Sequence, residues 1–341
     1  MSLPTVVVTR RLPRKVWNHL TAYARVVCWE ADCPVPREWL LDHIAEADGL
    51  YCLLTDQVDQ EVLQVGKRLR VISTMSVGYD HIDIQACTTR GIPVGHTSGI
   101  LTEATADLAF ALLMAAARRI VEGADYVRQG KWKEWSPDLL LGQDLCGATL
   151  GIVGFGRIGQ AMARRAQGFN MKVLAVRSPA QVSNSPGSLT SEGMSSQEQV
   201  RPLLEYVDLQ AALAQSDFVS LHVPLTSRTH HLIGAPEFQL MKPSSVLVNT
   251  ARGAIVDTEA LYQALHRGTI AGAALDVTDP EPLPASHSLL TLPNCLVIPH
   301  LGSASVATRA RMAFMAVENL LAGLRGDMLS HCANPEVYAA R

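Results

Sequence analysis

The sequence predicts an α/β protein that contains two doubly wound parallel sheets. Three observations support this prediction. The chain has 341 residues, of which 48% are hydrophobic, and is long enough for two domains. Short apolar runs alternate with helical patterns in both halves, which is typical of parallel strands covered by helices on both faces. A glycine-rich turn also links a strand to a helix in the second half. A single domain is the alternative that the length leaves open.

Five strand-like runs mark the first half of the chain. They are Thr5–Thr9, Arg25–Trp29, Gly49–Thr55, Arg70–Thr74 and Ile92–Val94. Helical patterns at Pro36–Ala47 and Asp59–Val65 fall between them. A long helix is predicted from Thr102 to Arg119, because Thr102 can cap it and Glu103 suits the dipole of its first turn. This helix could bridge two domains.

Six further strand-like runs form a second series. They are Ala148–Val153, Lys172–Arg177, Phe218–Val223, Ser245–Thr250, Ile270–Val277 and Leu296–Ile298. Between Pro179 and Gln199 the composition shifts to Ser, Gln, Gly and Pro, which cannot bury enough apolar surface to order itself well. We expect residues 179–199 to form a mobile surface excursion.

Composition and charge favour a small-molecule partner. The formal net charge of −3 and the isoelectric point near 6.4 give no long-range attraction for nucleic acid or an anionic membrane. The longest apolar stretch, Leu108–Ala117, is about half of what a transmembrane helix needs. The residues Met1–Arg10 lack the pattern of an export signal, so we expect a cytoplasmic protein. The seven cysteines show no CxxC pair and no zinc-ligand spacing with His, so we expect reduced thiols and no metal.

A dinucleotide-binding signature follows the first strand of the second series. The motif GxGxxG is formed by Gly154, Gly156 and Gly159, directly after Ala148–Val153 and before a helical pattern that ends near Phe169. The first glycine permits a tight turn, the second lets the backbone approach a pyrophosphate, and the third lets the helix pack on the strand. The helix N-terminus supplies amide donors and a positive dipole. We therefore predict a Rossmann-like nicotinamide site, with a purely structural glycine-rich turn as the alternative.

The end of the next strand indicates which nicotinamide cofactor is preferred. An NAD site usually places Asp or Glu there, about 20 residues after the motif, to bind the ribose hydroxyls. Here the strand ends in Arg177 and Ser178. An arginine attracts the 2′-phosphate of NADP that a carboxylate would repel. The prediction is a preference for NADPH with NADH possible, and the alternative is that Arg177 is a solvated cation at a strand end.

Three residues after later strands fit the reduction of a 2-oxoacid. Arg252 follows Ser245–Thr250, where open α/β sheets place their ligands, and its guanidinium can bind a carboxylate. Glu281 and His300 follow the next two strands. A carboxylate bonded to one ring nitrogen favours the protonated form of His, so the other nitrogen can donate a proton to the forming alkoxide. Each residue alone could be an ordinary packed or surface residue, and their joint order favours catalysis.

That order of motifs, GxGxxG, NTARG, DVxxPEP and PHxGSA, resembles the D-isomer-specific 2-hydroxyacid dehydrogenase family. The resemblance is closest to its glyoxylate/hydroxypyruvate reductase branch and extends from about Val6 to Gly326. It implies that Arg252 binds the substrate and that Glu281 and His300 form an acid/base dyad. The implied reaction is NADPH-dependent reduction of glyoxylate to glycolate and of hydroxypyruvate to D-glycerate.

The resemblance also implies further binding residues. Those for the substrate are Leu53, the backbone amides of Val77 and Gly78, His300 and Ser303. Those for the cofactor, besides the glycines, are Arg157, Ile158, Pro224, Thr250, Asp276 and Gly302. In this branch a tryptophan from the partner subunit closes the substrate pocket, and Trp135 is the candidate, with interface packing as the alternative.

A discontinuous domain arrangement is a further implication of the resemblance. Residues 1–102 and 302–330 would form a flavodoxin-like substrate-binding domain, and residues 103–301 an inserted Rossmann-like NAD(P)-binding domain. Residues 331–341 would be a C-terminal tail, which departs from the branch, as does the long Ser-rich stretch 179–199. The resemblance also implies a homodimer.

Two other functions stay open from the sequence. A sibling dehydrogenase on the same scaffold would act on phosphoglycerate, a bulkier 2-oxoacid, formate or phosphite. A dinucleotide-sensing, corepressor-like binding protein could retain the same three residues and bind a protein partner. A panel of substrates separates the dehydrogenases from each other, and negligible turnover together with capture of a protein partner would favour the binding protein.

Overall fold

The chain forms two compact units. The computed structural model describes residues 3–176 and 204–339. Unit 1 comprises Met1–Leu101 and Ser303–Arg341, and unit 2 comprises Thr102–Gly302. Unit 2 is therefore one continuous stretch of chain between the two parts of unit 1. The boundaries between the two units differ by one residue from the predicted ones. The assignment of the units to substrate and cofactor stays a prediction.

The described residues form strands that alternate with helices. The strands are β1 (Thr5–Val8), β2 (Arg25–Cys28), β3 (Gly49–Cys52), β4 (Val71–Thr74), β5 (Val94–Gly95), β6 (Thr149–Val153), β7 (Lys172–Val176), β8 (Leu204–Val207), β9 (Phe218–Leu221), β10 (Val246–Asn249), β11 (Gly272–Leu275) and β12 (Cys295–Val297). The α-helices are α1 (Arg14–Thr21), α2 (Arg37–Ile44), α3 (Gln60–Val65), α4 (Ile84–Thr89), α5 (Thr102–Ala117), α6 (Ile120–Arg128), α7 (Arg157–Gln167), α8 (Leu209–Gln215), α9 (Ala235–Leu240), α10 (Thr258–His266) and α11 (Val306–Arg325).

Unit 1 contains a sheet of five parallel strands in the order β2-β1-β3-β4-β5 within the described residues. The strand order reverses at β1, because β2 pairs with one side of β1 and β3 with the other. Open α/β sheets bind ligands beyond the carboxyl ends of the strands at such a reversal. The strands β3 and β4 are buried along their whole length, as expected for a parallel sheet covered on both faces.

The last residues of the chain belong to unit 1. We expected residues 331–341 to form a separate tail, but the described part of this segment lies against β5. Cys332 forms an antiparallel bridge with Gly95, and the N–H of Ala333 donates to the carbonyl of Val94 at 2.8 Å. Asn334 is fully buried, and its side chain accepts a hydrogen bond from the N–H of Val94 at 2.8 Å. These contacts satisfy backbone groups of an edge strand that would otherwise lack partners.

Unit 2 contains seven parallel strands in the order β12-β11-β10-β9-β6-β7-β8 within the described part of the chain. The order reverses between β6 and β9, which pair directly with each other. This is the strand arrangement of a doubly wound dinucleotide-binding sheet with one added strand, and the glycine motif follows β6 at the reversal. The prediction of two doubly wound parallel sheets is thus confirmed.

Two elements of unit 2 differ from the sequence prediction. The strand β8 was not predicted, because Glu205 interrupts its apolar run; the two central residues, Glu205 and Tyr206, are exposed in the structure. The long helix predicted from Thr102 to Arg119 ends at Ala117, and Arg119 has a left-handed φ of 51° before α6 begins. A left-handed residue cannot continue a right-handed helix, so the chain turns between α5 and α6.

In the described residues, no helix is both long enough and apolar enough to cross a bilayer. The cytoplasmic location stays a prediction.

All seven cysteines are free thiols.

Candidate active site

The glycine motif forms a tight turn between β6 and α7. Gly154 has a φ of +98°, and a Cβ there would lie 2.7 Å from the carbonyl atoms of His222. A Cβ at Gly159 would lie 2.3 Å from the carbonyl oxygen of Gly154, so the third glycine permits close packing of helix on strand. Among the described residues, a Cβ at Gly156 would meet no atom within 4 Å, and no side chain caps the N-terminus of α7. The open space beside an uncapped helix N-terminus fits the pyrophosphate of a dinucleotide.

Other predicted cofactor residues lie at the same carboxyl edge of the sheet. Thr250 directly follows β10, and its buried hydroxyl makes no hydrogen bond with the described residues. Such an orphaned hydroxyl fits a ligand that supplies the missing partner. Pro224 follows β9 and is exposed, and its carbonyl accepts a hydrogen bond from the Thr229 hydroxyl at 2.6 Å. Arg157 and Ile158 are the first residues of α7.

Arg177 and Ser178, the residues predicted to select the cofactor, lie outside the described residues. The same holds for the Ser-rich stretch 179–199. The strand β7 ends at Val176, directly before them, on the side of β6 opposite to β9.

Arg252 lies in a short turn fixed by the end of β10. The side chain of Asn249 donates to the carbonyl of Arg252 at 2.8 Å and accepts from the N–H of Ala251 at 3.0 Å. The next residue, Gly253, allows close contact with a neighbouring loop, because a Cβ there would lie 2.0 Å from the carbonyl of Thr278. The turn that carries Arg252 is thereby held against the loop that leads to Glu281.

Glu281 and His300 form a hydrogen-bonded pair. The distance between Oε1 of Glu281 and Nδ1 of His300 is 2.6 Å, and both side chains keep access to solvent. Although burial by itself raises the pKa of Glu281, the hydrogen bond and charge of His300 hold this pKa below its usual range. The N–H of Thr278 and the charge of Arg252 lower it further. The structure thus brings together the three residues that the sequence predicted as catalytic.

Asp276 holds the backbone that carries His300. Its carbonyl accepts from the N–H of His300 at 2.8 Å, and its carboxylate accepts from the N–H of Leu301 and, at 2.8 Å, from that of Gly302. His300 has a left-handed φ of 51°, a conformation that a non-glycine residue keeps only when its surroundings fix it. Burial raises the pKa of Asp276, against the effect of the two amides. Asp276 is predicted to lie beside the cofactor, and the structure adds this contact with the His300 loop.

The predicted substrate residues of unit 1 lie at the carboxyl edge of its own sheet. Leu53 follows β3, and its N–H donates to the buried carboxylate of Asp56 at 2.7 Å. Val77 and Gly78 follow β4 and are both partly accessible. Ser303 is buried at the start of the second part of unit 1.

Trp135 lies in unit 2, in a segment without helix or strand between α6 and β6. Its side chain is 79% exposed, and the nearby Trp132 is 58% exposed. Within the chain itself, Trp135 is therefore neither packed nor part of the Glu281–His300 pair.

The family is shown by comparison with known proteins. Residues 110–302 match the model of the D-isomer specific 2-hydroxyacid dehydrogenase, NAD binding domain. A glyoxylate reductase of Korarchaeum cryptofilum is 46% identical over 339 residues, which cover 99% of this chain and 98% of that protein. The chain belongs to the D-isomer specific 2-hydroxyacid dehydrogenase family. It is an NAD(P)-dependent oxidoreductase that acts on CH–OH groups.

Solved structures support the same relationship. A protein of Thermus thermophilus has 48% sequence identity and a TM-score of 0.86, with 96% of this chain and 99% of that chain covered. An NADPH-dependent glyoxylate/hydroxypyruvate reductase of Sinorhizobium meliloti, solved with NADP and malonate, has 29% identity and a TM-score of 0.80, with 98% of both chains covered.

Several side chains that shape the sites of this dehydrogenase were not found from the sequence. Asn249 fixes the Arg252 turn, and Asp56 fixes the backbone at Leu53. His222 follows β9 beside the glycine turn, with its Nε2 2.9 Å from the hydroxyl of Ser220. Asn249 belongs to the motif NTARG, so its position at a strand end was a usable signal. The contacts of Asp56 with Leu53 and of His222 with Ser220 span only three and two residues, whereas the position of His222 beside Gly154 depends on tertiary structure.

Proposed function

We propose that this dehydrogenase reduces glyoxylate to glycolate and hydroxypyruvate to D-glycerate, with NADPH as the preferred reductant. The observation that carries the proposal is the 2.6 Å contact between Glu281 and His300, with Arg252 close enough for its charge to lower the pKa of Glu281. Reduction of a 2-oxoacid needs a proton donor, which the carboxylate of a neighbouring side chain can hold in place. It also needs a cation that binds the carboxylate of the substrate.

Each of the three residues has a defined part in the proposed reaction. The hydride for the carbonyl carbon would come from NADPH, which the glycine turn before α7 and Thr250 would hold. His300 donates a proton from Nε2 to the carbonyl oxygen, while Glu281 accepts the hydrogen bond from Nδ1 and stabilises the protonated ring. Arg252 binds the substrate carboxylate through its guanidinium. The products are the 2-hydroxyacid and NADP, and the proton lost by His300 is replaced from solvent.

The loop after β4 is proposed to bind the substrate carboxylate. The backbone N–H groups of Val77 and Gly78 would donate to it, and Leu53 and Ser303 would lie beside the substrate. Consecutive backbone N–H groups in a loop are a common way to bind an anion.

The choice of glyoxylate rests on relatives. The glyoxylate reductase of Korarchaeum cryptofilum matches almost the whole chain. The Sinorhizobium meliloti relative is named a glyoxylate/hydroxypyruvate reductase. The preference for NADPH rests on Arg177 and Ser178, and on that NADP-bound relative.

A homodimer is part of the proposal. Two observations in unit 2 support it. Apolar side chains of α6 and the following segment are exposed, among them Ile120, Val127, Trp132 and Leu141. A cavity of about 730 Å³ lies between α6, the end of α5 and the start of the neighbouring strands. Exposed apolar surface beside a cavity is typical of a protein interface. Trp135 would then contact the substrate bound to the other subunit.

A substrate panel tests the proposal. Oxidation of NADPH and of NADH is followed by absorbance with glyoxylate, hydroxypyruvate, pyruvate and phenylpyruvate, for the native protein and for Arg177→Asp. We expect fast NADPH oxidation with the first two substrates and a shift toward NADH in the variant. Preference for phenylpyruvate would identify a sibling dehydrogenase, and an unchanged cofactor ratio in the variant would refute the role of Arg177.

A further inference from the structure

The loop after β4 has three consecutive carbonyl groups that are fixed within unit 1. The carbonyl of Ser76 accepts from the N–H of Thr97 at 2.8 Å. The carbonyl of Val77 lies 3.0 Å from Nδ1 of His96. The carbonyl of Gly78 accepts from the hydroxyl of Ser76 at 2.5 Å, and this hydroxyl also lies 2.9 Å from that of a second buried residue, Thr74. The peptide planes of the loop are thus fixed one by one.

Fixed carbonyl groups determine where the N–H groups point. A trans peptide is planar, and its C=O and N–H point in opposite directions. The N–H of Val77 therefore points away from Thr97, and the N–H of Gly78 points away from His96. Neither N–H donates a hydrogen bond within the described residues. Both are consequently available to an external acceptor.

His96 is itself held on two sides. Its N–H donates to the carbonyl of His331 at 3.1 Å, and its carbonyl accepts from the side chain of Asn319 at 3.2 Å. Asn319 lies on α11 and is 1% exposed, and His331 begins the C-terminal segment that lies against β5. Because a carbonyl oxygen can only accept, the ring nitrogen Nδ1 that faces Val77 must carry hydrogen.

We infer that His96 is a positioning residue of the carboxylate-binding loop. Its Nδ1–H fixes the peptide between Val77 and Gly78, so that the N–H of Gly78 is presented to the substrate carboxylate. Asn319 and the C-terminal segment act through His96, which gives that segment a part in substrate binding. The inference rests on the proposed reduction of a 2-oxoacid, in which the amides of Val77 and Gly78 bind the carboxylate.

Two substitutions at the same position provide the test. His96→Leu removes the donor, whereas His96→Asn places an amide N–H at the atom that corresponds to Nδ1. We expect the KM for glyoxylate to rise about tenfold in the Leu variant and to change less than about twofold in the Asn variant. The dissociation constant of NADPH, measured by fluorescence titration, should be unchanged in both. An unchanged KM in the Leu variant, or an equal rise in both variants, would refute the inference.

A structural readout separates this inference from the proposed function. Crystal structures of the native protein and the Leu variant show the orientation of the Val77–Gly78 peptide directly, whether or not glyoxylate is a substrate. A rotated peptide in the variant supports the inference, and the native orientation refutes it. If the Leu variant does not fold, His96→Gln replaces it. The amide nitrogen of Gln lies one bond farther from the backbone than Nδ1 of His, so it does not occupy the position of the native donor. Failure of the native protein to reduce any 2-oxoacid would refute the proposed function alone.

Discussion

At the scale of single residues, the Glu281–His300 pair depends on charge as well as on geometry. The depressed pKa of Glu281 means that its carboxylate stays ionised as pH falls into the range in which a free Glu becomes protonated. The stabilisation that Glu281 gives is therefore present above a pH of about 4.5 and is lost only as pH falls through the lower, native pKa. Around neutral pH the carboxylate is available to hold the protonated form of His300.

Replacing Glu281 with Gln tests this dependence. The variant keeps an oxygen near Nδ1 of His300 but removes the charge, so we expect kcat to fall about 10- to 100-fold. The fall should shrink as pH drops through the lowered pKa of Glu281, because the native carboxyl group then loses its charge as well. The measurement is kcat for glyoxylate against pH with saturating NADPH, and Glu259→Gln on α10 is the exposed control. Equal kcat in native protein and variant at every pH would mean that Glu281 does not hold the proton donor.

His222 should make stability depend on pH. Burial lowers the pKa of His222 from 6.5 to about 4. As pH falls through 6.5 the unfolded chain takes up a proton that the native state does not, so stability is lost between about pH 6.5 and pH 4. The loss is at most about 3.4 kcal/mol. The free energy of unfolding in urea is measured at both ends of this range for the native protein and for His222→Gln. Only the protein that contains His222 should lose this part of its stability. Parallel decreases in the two proteins would contradict the shifted pKa.

At the scale of elements, the turn between β6 and α7 combines two kinds of glycine. Gly154 needs its left-handed backbone and the space beside His222, whereas Gly156 faces open space. The backbone conformation and the space that Gly154 needs serve folding, whereas the open space beside Gly156 serves ligand binding.

Alanine substitutions separate these requirements. We expect Gly156→Ala to leave the melting temperature nearly unchanged and to weaken NADPH binding at least about tenfold, because its Cβ fills space meant for the pyrophosphate. Gly154→Ala should destabilise the protein by about 1–3 kcal/mol. Gly168→Ala is the control for both measurements, because a Cβ there would meet, among the described residues, only the carbonyl of Arg165 at 3.5 Å. Tight NADPH binding by Gly156→Ala would argue against the proposed position of the pyrophosphate.

At the scale of the whole molecule, the dinucleotide signature belongs to one compact unit. The glycine turn, Thr250 and Asp276 all lie between Thr102 and Gly302. A ligand that binds only the native form of unit 2 should stabilise that unit in proportion to the logarithm of its concentration.

Calorimetry with cofactor gives the corresponding prediction. NADPH at about 100 times its dissociation constant should raise the free energy of unfolding by about 2.7 kcal/mol. The thermal transition of native protein should move upward with NADPH, and that of Gly156→Ala should move less at the same concentration. If the two units melt separately, only one transition should move. No movement at any NADPH concentration would exclude a nicotinamide site in the native protein.

Much of the fold could be predicted from the sequence because its signals are local. Periodicity of apolar residues, the glycine turn after β6 and the strand ends that carry Arg252 and His300 can each be recognised within a short window. The order of these motifs also sufficed to identify the family. The strand β8 was missed because the charged residue Glu205 interrupts its short apolar pattern.

Tertiary structure decided how the site residues are held. The sequence by itself predicted which side chains carry the chemistry, since a carboxylate, an imidazole and a guanidinium follow successive strands. Only the folded chain shows Asp276 fastening the His300 loop, and the C-terminal segment fixing His96 and through it Val77. These contacts join residues from about 20 to more than 200 positions apart, and no local pattern encodes such a pairing.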